Sequence, residues 1–374
     1  MKMTSKIILF LGLGFFFFDG SPLRAEVHNV YFGTHGKGSH GIYHATFNDK
    51  KGKLSSPRLA NELRSPSFLA KHPNLNVIYA VVGGDESIHA LEPQGDGSLK
   101  TLNSSPIGDG RSAHISVHPS GNFLITAQYR NGSVGVFPID ASGKVMSRTQ
   151  LFKHQGGSKV FPKRQDTAHP HWTGFSPDGR FAMVPDLGMD QIIIYKVDLE
   201  SNTLKQHGKA TAPPGSGPRH MRFSTDGRFI YLLNELSMTI STFSYDSQEG
   251  STIFINSTKT LKDEVKNKQA FNAASEILVH PKGHFLYSAN RGHDSVSVYQ
   301  VTPSNGTIRA MEVESVRGSW PRSIALDPSG RWLLAAGQFS NSVATFAIDE
   351  DSGELTFVNR ETANLPRPSC ILFP

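Results

Sequence analysis

The sequence predicts an all-β protein: a seven-bladed β-propeller closed by its C-terminal strand, which completes the first blade. Three observations predict this fold. A strand–turn–strand motif occurs six times, the motifs recur at intervals of 46 to 58 residues, and the two ends of the chain carry complementary parts of one more motif. A period in the forties with four strands per unit is typical of propellers.

Each repeat consists of an apolar strand, a turn rich in Pro, Gly, Asn or Asp, and a second apolar strand, as in RHMRFSTDGRFIYLLNE. A third strand follows a short polar loop, as in TISTFSY, and a less regular fourth strand often comes next. The turn anchors of the six repeats are Pro73, Pro119, Pro177, Thr225, Pro281 and Pro328. Two intervals between anchors are longer than the others by about ten residues, which places insertions near Ser142–Thr167 and Gln248–Ala273.

The two ends of the chain complete the ring. The C-terminal segment PSCILFP, from Pro368 to Pro374, matches a first strand and its turn proline, whereas VHNVYFGTH near the N-terminus matches a second strand. Pairing between these segments would remove sheet edges that would otherwise be exposed. The repeat therefore predicts a single propeller domain over residues 26–374.

Residues 1–25 have the pattern of a secretory signal peptide. Lys2 and Lys6 precede an apolar run from Ile7 to Phe18, and a cleavage site follows at Ala25. This run is too short to span a bilayer comfortably. We therefore expect a periplasmic or secreted mature chain without a membrane span.

Composition excludes several classes of function. The formal net charge is +6, but no block of Lys and Arg resembles a nucleic-acid footprint. The single cysteine, Cys370, rules out intrachain disulfides and Cys-rich metal sites. The pair His169-Pro-His171 is the one His motif suited to metal, and it is too sparse to predict a metal site. No cofactor is expected.

Strand alternation and the repeat spacing place polar side chains around the channel mouth. The residue six positions before each turn anchor starts the innermost strand, and the residue ten positions after it ends the second strand. Both positions lie at the same edge of the sheet because the two strands are antiparallel. The polar members of these rings are His35, Tyr129, His171, Arg219, Glu235, Arg291, Arg322 and Gln338, with His114, Arg130, His169, His220 and Glu276 one step away.

Packing alone does not require such a mouth, because buried charges are costly unless they are paired or solvated. A structural role is also open: Arg219 and Arg291 could pair with Glu235 or Asp186 and tie neighbouring blades together. The histidines that precede turn prolines are predicted to be turn residues without a functional role. They are His72, His118 and His280.

Four segments carry a resemblance to a known family. HPHWTGFSPDGRFAMVPDLGMDQIIIY, GSGPRHMRFSTDGRFIYLLNEL, ASEILVHPKGHFLYSANRGHDSVSVY and WPRSIALDPSGRWLLAAGQFSNSV resemble the seven-bladed lactonase family. This family includes a bacterial type of 6-phosphogluconolactonase and the fungal carboxymuconate-lactonizing enzymes. The resemblance covers about Val27 to Pro374. The fungal enzymes have a proposed active site of one His, one Glu and two Arg, which correspond by motif to His171, Glu235, Arg219 and Arg291.

The resemblance implies lactone chemistry. Opening a lactone with water requires a base to activate the water and positive donors to stabilise the oxyanion. Glu235 or His171 is the candidate base, with the other orienting it. Arg219 and Arg291 would hold the oxyanion and a substrate carboxylate or phosphate. Further candidate substrate contacts are Arg322, His220, Tyr129 and His169.

Hydrolysis of a sugar lactone, as by a 6-phosphogluconolactonase, is therefore the predicted activity, with a small and anionic lactone as the partner. No Ser lies in a nucleophile elbow, so no acyl-enzyme is expected. Export favours an unphosphorylated lactone such as gluconolactone. Two other functions remain open: a non-catalytic propeller that binds an anionic sugar or a protein, and a cycloisomerase acting on a muconate-like substrate. The oligomeric state and the position of the two insertions relative to the mouth also remain open.

Overall fold

The strands of the protein are arranged as seven small antiparallel sheets around a central channel, which confirms the predicted seven-bladed propeller. The structure, a computed structural model, describes residues 26–358 and 362–374. The predicted signal peptide, residues 1–25, lies outside the described residues. Within them, one short helix occurs, α1 (Asp263–Lys266), and no helix is long and apolar enough to cross a membrane.

Each blade is formed by strands that follow one another in the chain. Blade 1 contains β1 (Val27–Thr34), β2 (Gly41–Asn48), β3 (Lys53–Leu54) and β4 (Arg58–Glu62). Blade 2 contains β5 (Pro66–Lys71), β6 (Ile78–Val82), β7 (Ser87–Pro93) and β8 (Leu99–Pro106). Blade 3 contains β9 (His114–Val117), β10 (Phe123–Gln128), β11 (Ser133–Pro138) and β12 (Gln150–Lys153). Blade 4 contains β13 (Gly174–Phe175), β14 (Phe181–Asp186), β15 (Gln191–Asp198) and β16 (Thr203–Thr211).

The second half of the ring repeats the pattern. Blade 5 contains β17 (Pro218–Phe223), β18 (Phe229–Asn234), β19 (Thr239–Asp246) and β20 (Ser251–Lys259). Blade 6 contains β21 (Ala273–Val279), β22 (Phe285–Arg291), β23 (Ser295–Val301) and β24 (Ile308–Ser315). Blade 7 contains β25 (Pro321–Leu326), β26 (Trp332–Gly337), β27 (Ser342–Ile348), β28 (Leu355–Phe357) and β29 (Ala363–Asn364). The last strand, β30 (Pro368–Leu372), returns to blade 1.

Strand β30 closes the ring as the innermost strand of blade 1. It pairs antiparallel with β1, with Phe32 opposite Ile371 and Gly33 opposite Cys370. A Cβ atom at Gly33 would lie 2.6 Å from the carbonyl oxygen of Pro66, so only glycine allows blades 1 and 2 to approach this closely. The predicted closure by the C-terminal strand is confirmed.

Apolar side chains fill the spaces between blades. One cluster joins Tyr287 and Val298 of blade 6 to Leu333 and Phe346 of blade 7, all of them buried. The same arrangement recurs around the ring, because alternate residues of each strand face the neighbouring blade. The core is therefore a series of layers between sheets, and the channel wall is supplied by the ends of the inner strands.

The three turn histidines connect neighbouring blades. Each donates a hydrogen bond from its Nε2 to the carbonyl of a turn glycine in the next blade. The pairs are His72 with Gly121 at 3.0 Å, His118 with Gly179 at 2.9 Å, and His280 with Gly330 at 2.8 Å. Their role is structural, and none of the three lines the cavity at the channel mouth.

The inner strands of several blades begin with a β-bulge, where the pairing register shifts by one residue. In blade 5 the shift lies between Pro218 and His220, and equivalent shifts occur at the starts of β5 and β25. A bulge re-aims a side chain that strict alternation would turn away. Arg219 and His220 are consecutive residues, and both consequently face the channel.

Both insertions predicted from the repeat spacing lie beside the channel mouth. One is the irregular segment 154–173 between β12 and β13, and the other is the segment 260–272, which contains α1. Together they line a second cavity of about 400 Å³, with Phe161 and Arg164 from the first and Lys266 and Phe271 from the second. Arg164 also reaches the channel cavity, so the first insertion forms part of the mouth.

Candidate active site

A cavity of about 320 Å³ occupies the channel mouth and receives side chains from all seven blades and their connections. Its wall consists of His35, Ser67, Phe68, Arg111, Ser112, Ala113, Tyr129, Arg130, Arg164, His171, Arg219, His220, Glu235, Arg291 and Arg322. Six of these residues are arginines, and Glu235 is the only carboxylate in this wall. The cavity is therefore strongly electropositive.

Glu235 lies at the centre of three guanidinium groups. Its Oε1 accepts a hydrogen bond from Arg164 Nη2 at 2.6 Å, and its Oε2 accepts one from Arg219 Nε at 2.7 Å. Arg291 Nη2 lies 3.0 Å from the same Oε2. Both carboxylate oxygens are thus occupied, and the structural role that the sequence left open, pairing of Arg219 and Arg291 with Glu235, is present.

This arrangement determines the ionisation of Glu235. Burial alone would raise the pKa of its carboxyl group, but the positive charges of Arg291, Arg219 and Arg164 outweigh burial and hold the pKa well below its usual range. A carboxylate with such a low pKa is a weak proton acceptor. Glu235 is therefore better suited to orienting guanidinium groups than to acting as the base.

Backbone carbonyls fix the two buried arginines that flank Glu235. Arg219 Nη1 donates to the carbonyl of Ser275 at 2.6 Å, and Arg291 Nη2 donates to the carbonyl of Ala274 at 3.0 Å. The guanidinium of Arg291 also lies over the ring of Trp320, 5.4 Å from its centre. These contacts hold the two arginines in place before any ligand binds, which favours stabilisation of a developing negative charge.

Arg322 differs from these arginines because it has no hydrogen-bond or ion-pair partner within residues 26–358 and 362–374. Burial and the neighbouring charges of Arg219 and Arg291 lower its pKa to about 9, so it remains cationic at neutral pH. An unpaired cation in a partly desolvated wall favours binding of an anion.

His171 lies in the wall where the sequence placed it, and it is 7% exposed. Burial, followed by the charge of Arg219, holds its pKa well below the usual value, so the imidazole is neutral. Its Nδ1 atom is buried and has no hydrogen-bond partner among the described residues. No group therefore selects the tautomer of His171.

Tyr129 and His169 have different positions although the sequence predicted both as substrate contacts. Tyr129 lies in the cavity wall, with its ring edge towards His171 at a centroid distance of 5.3 Å. His169 is not part of that wall. It stacks on Tyr129 at 4.6 Å, and its Nδ1 donates to the Tyr129 carbonyl at 2.8 Å, so it supports Tyr129 from behind.

His220 of blade 5 and Glu276 of blade 6 form a buried pair. His220 Nδ1 lies 3.0 Å from Glu276 Oε1, which also accepts hydrogen bonds from Arg222 Nη2 at 3.1 Å and from the backbone N–H of Ile277 at 3.0 Å. His220 belongs to the cavity wall, whereas Glu276 lies behind it. His114 and Gln338, also predicted near the mouth, do not line the cavity.

Sequence reasoning missed the residues that hold the loops of the site. Asp190 Oδ1 accepts hydrogen bonds from Gly217 N at 2.8 Å and from Gln165 Nε2 at 2.7 Å, and its Oδ2 accepts one from Gly215 N at 2.7 Å. Asp190 thereby fixes both the segment that leads to Arg219 and the insertion that carries Arg164. The PDLGMD motif was the available signal for this role.

We expect the fold to lose stability below about pH 6.5, because three of its buried histidines resist protonation in the native state. Burial and neighbouring charges hold the pKa of His114, His171 and His220 well below 6.5. As the pH falls, the unfolded chain binds more protons than the native chain. Each histidine should therefore remove about 1.4 kcal/mol of unfolding free energy per pH unit. Denaturant titrations between pH 7 and pH 5 would measure this slope. We expect His114→Gln to reduce this slope by the contribution of one histidine, about 1.4 kcal/mol per pH unit. An unchanged slope would contradict a neutral His114.

Comparison with known proteins identifies the family. A family model described as lactonase, 7-bladed β-propeller, matches residues 29–373. The chain belongs to this lactonase family. The 6-phosphogluconolactonase of Bacillus subtilis is 32% identical over 347 residues, which cover 92% of this chain and 97% of that protein. The 6-phosphogluconolactonase of Formosa agariphila is 33% identical over 333 residues, which cover 86% of this chain and 92% of that protein.

Solved structures agree with this membership in the lactonase family. A periplasmic gluconolactonase from Pseudomonas aeruginosa superimposes with a TM-score of 0.85 at 28% identity, covering 93% of this chain and 100% of that chain. A protein from Lactobacillus plantarum superimposes with a TM-score of 0.86 at 29% identity, with the same coverage of both chains. In the part of the chain that the structure describes, no group of three or more His, Cys, Asp or Glu side chains is placed to hold a metal ion.

Proposed function

We propose that this protein hydrolyses a sugar lactone by base-activated attack of water, with guanidinium groups stabilising the oxyanion. The observation that carries this proposal is the channel cavity, where six arginines surround one carboxylate. Relatives named 6-phosphogluconolactonase and gluconolactonase support the substrate class. A cavity of about 320 Å³ can accommodate a single sugar ring.

The proposed roles follow from the contacts of each residue. Arg219 and Arg291 are anchored by backbone carbonyls, and they stabilise the oxyanion. Both oxygens of Glu235 already contact guanidinium groups, so its role is to hold these arginines in place. A neutral imidazole in the wall then serves as the base, which leaves His35, His171 and His220 as the candidates.

An anionic lactone suits this cavity better than a neutral one. The unpaired Arg322 supplies a cation to a carboxylate or phosphate on the sugar, and Arg111 and Arg130 lie in the same wall. The predicted export of the chain favours a lactone that carries a carboxylate, such as the lactone of a sugar diacid, over a phosphorylated cytosolic intermediate.

We expect Arg322→Gln to weaken binding of anionic lactones selectively. Purified protein would be tested with gluconolactone, its 6-phosphate and glucarolactone, in each case above the spontaneous rate of hydrolysis. Loss of one charge-assisted contact should raise KM for the two anionic lactones by about 10- to 100-fold and change KM for gluconolactone by less than about threefold. Arg309→Gln, an exposed arginine on β24, is the matched control and should leave all three values unchanged.

Two results would contradict the proposal. Tight binding of a sugar acid without turnover of any lactone would make the protein a binding propeller. Equal loss of affinity for charged and neutral lactones in Arg322→Gln would mean that Arg322 does not hold the substrate anion.

A further inference from the structure

The pair formed by His220 and Glu276 has the geometry of a base with an orienting carboxylate. Both side chains are buried, at 3% and 3% exposure, and Glu276 Oε1 lies 3.0 Å from His220 Nδ1. Because a carboxylate only accepts hydrogen bonds, Nδ1 must carry the proton. The lone pair of the neutral ring is then on Nε2, which has no hydrogen-bond partner within the described residues, and His220 lines the cavity.

Glu276 is itself held so that it cannot turn away. Its Oε1 also receives hydrogen bonds from Arg222 Nη2 and from the backbone N–H of Ile277. The guanidinium of Arg222 rests over the ring of Trp172 at 5.6 Å. An imidazole whose tautomer is fixed by a buried carboxylate is the arrangement used for general bases in several unrelated hydrolases.

The other candidate bases in the cavity wall, Glu235, His35 and His171, each lack one requirement. Both oxygens of Glu235 are already engaged by Arg164, Arg219 and Arg291, so uptake of a proton from water would weaken three ion pairs. His35 and His171 each have a buried Nδ1 with no hydrogen-bond partner among the described residues, so their tautomers are not fixed. His220 combines a fixed tautomer with access to the cavity.

We propose that His220 is the general base of the lactone hydrolysis and that Glu276 is its positioning residue. This inference rests on the proposed function. His220 Nε2 accepts a proton from water as the water oxygen bonds to the lactone carbonyl carbon, and the carbonyl electron pair moves to the oxygen held by the guanidiniums. The bond to the ring oxygen then breaks, and the imidazolium returns its proton to that oxygen. The new carboxylic acid releases a proton to solvent, so one water is consumed.

Chemical rescue tests the role of His220. His220→Ala should lower kcat by about 10²- to 10⁴-fold with little change in KM, and added imidazole should restore part of the rate, because it fits the space left by the side chain. His171→Ala should not be rescued by imidazole. His220→Gln, which fills most of the space, should show the same loss of kcat without rescue and should retain the native circular dichroism spectrum.

Glu276 is tested by conservative variants and by the tautomer of His220. Glu276→Gln should lower kcat by at least about tenfold with KM unchanged, and Glu276→Asp should recover part of that loss. Nitrogen-15 NMR of the imidazole rings should show a protonated Nδ1 for His220 in the native protein and loss of that signal pattern in Glu276→Gln. His89→Gln, a buried histidine on β7 that pairs with Asp85 and does not line the cavity, is the matched control and should keep kcat within about threefold.

The outcomes separate this inference from the proposed function. If the native protein hydrolyses lactones and His220→Ala retains its kcat, or if imidazole rescues His171→Ala instead, the assignment of His220 is overturned while lactone hydrolysis stands. If the native protein hydrolyses no lactone, both proposals fall. An Nε2-protonated His220 in the native spectrum would overturn the role of Glu276 regardless of turnover.

Discussion

Glu235→Gln is expected to destabilise the fold by about 3–5 kcal/mol and to abolish most activity. The substitution removes the one negative charge that three guanidiniums share, and it leaves Arg219, which is 2% exposed, buried without a counterion. Removing one partner of a buried ion pair has an effect of this size because the remaining charge is uncompensated. The amide nitrogen would also face guanidinium donors, which displaces them.

The activity loss in Glu235→Gln should be about 10²- to 10³-fold in kcat/KM, because displaced arginines no longer meet the oxyanion. Thermal unfolding and steady-state kinetics would measure the two effects. Glu249→Gln makes the same chemical change at an exposed position in the same blade, and it should alter stability by less than about 0.5 kcal/mol. Similar small losses in both variants would mean that Glu235 is not needed to compensate the arginines.

Ile371→Asp is expected to reduce the unfolding free energy by more than about 4 kcal/mol. Ile371 lies on the closing strand β30, is 8% exposed, and packs against Val30, Phe32 and Leu334. The substitution removes a buried aliphatic side chain, which alone has an effect of about 2–5 kcal/mol, and it adds a carboxylate with no cation beside it. The interface between blades 7 and 1 should open first.

The control for Ile371→Asp is Leu59→Asp, in which Leu59 lies on the outer strand of the same blade and is 47% exposed. It should change the unfolding free energy by less than about 1 kcal/mol. Chemical denaturation followed by tryptophan fluorescence would compare the two. If both variants unfold at the same denaturant concentration, β30 contributes no more to the ring than the outer strand does.

The fold could be predicted from the sequence because a propeller repeats its signals. Each blade buries the same alternate positions against its neighbours, so the strand–turn–strand pattern recurs with the turn anchors from Pro73 to Pro328. The closing strand was predictable because PSCILFP is a first strand without a second one after it. The strand bounds were less predictable: the inner strand of blade 4, for example, is reduced to Gly174–Phe175.

The candidate site was predictable only where it follows the repeat. Counting from the turn anchors placed Arg219, Glu235 and Arg291 in one wall, because each lies at or next to the end of a regular strand. The same count placed His171 there, although it precedes the shortened strand β13 by three residues. Arg164 was missed because it lies in an insertion, where no periodicity relates a residue to the channel. His220 was placed one step from the rings, because the bulge that turns it inward depends on pairing between strands.

The charge of the channel cavity also bears on how a reaction cycle would end. Opening a lactone converts a neutral ester into a carboxylate, so the product carries one more negative charge than the substrate. A wall of six arginines and one glutamate therefore holds the product more tightly than the lactone. If the guanidiniums act as proposed, they would also slow the departure of the product carboxylate, and this step would limit turnover at low ionic strength. Added salt would relieve that limit by screening the wall.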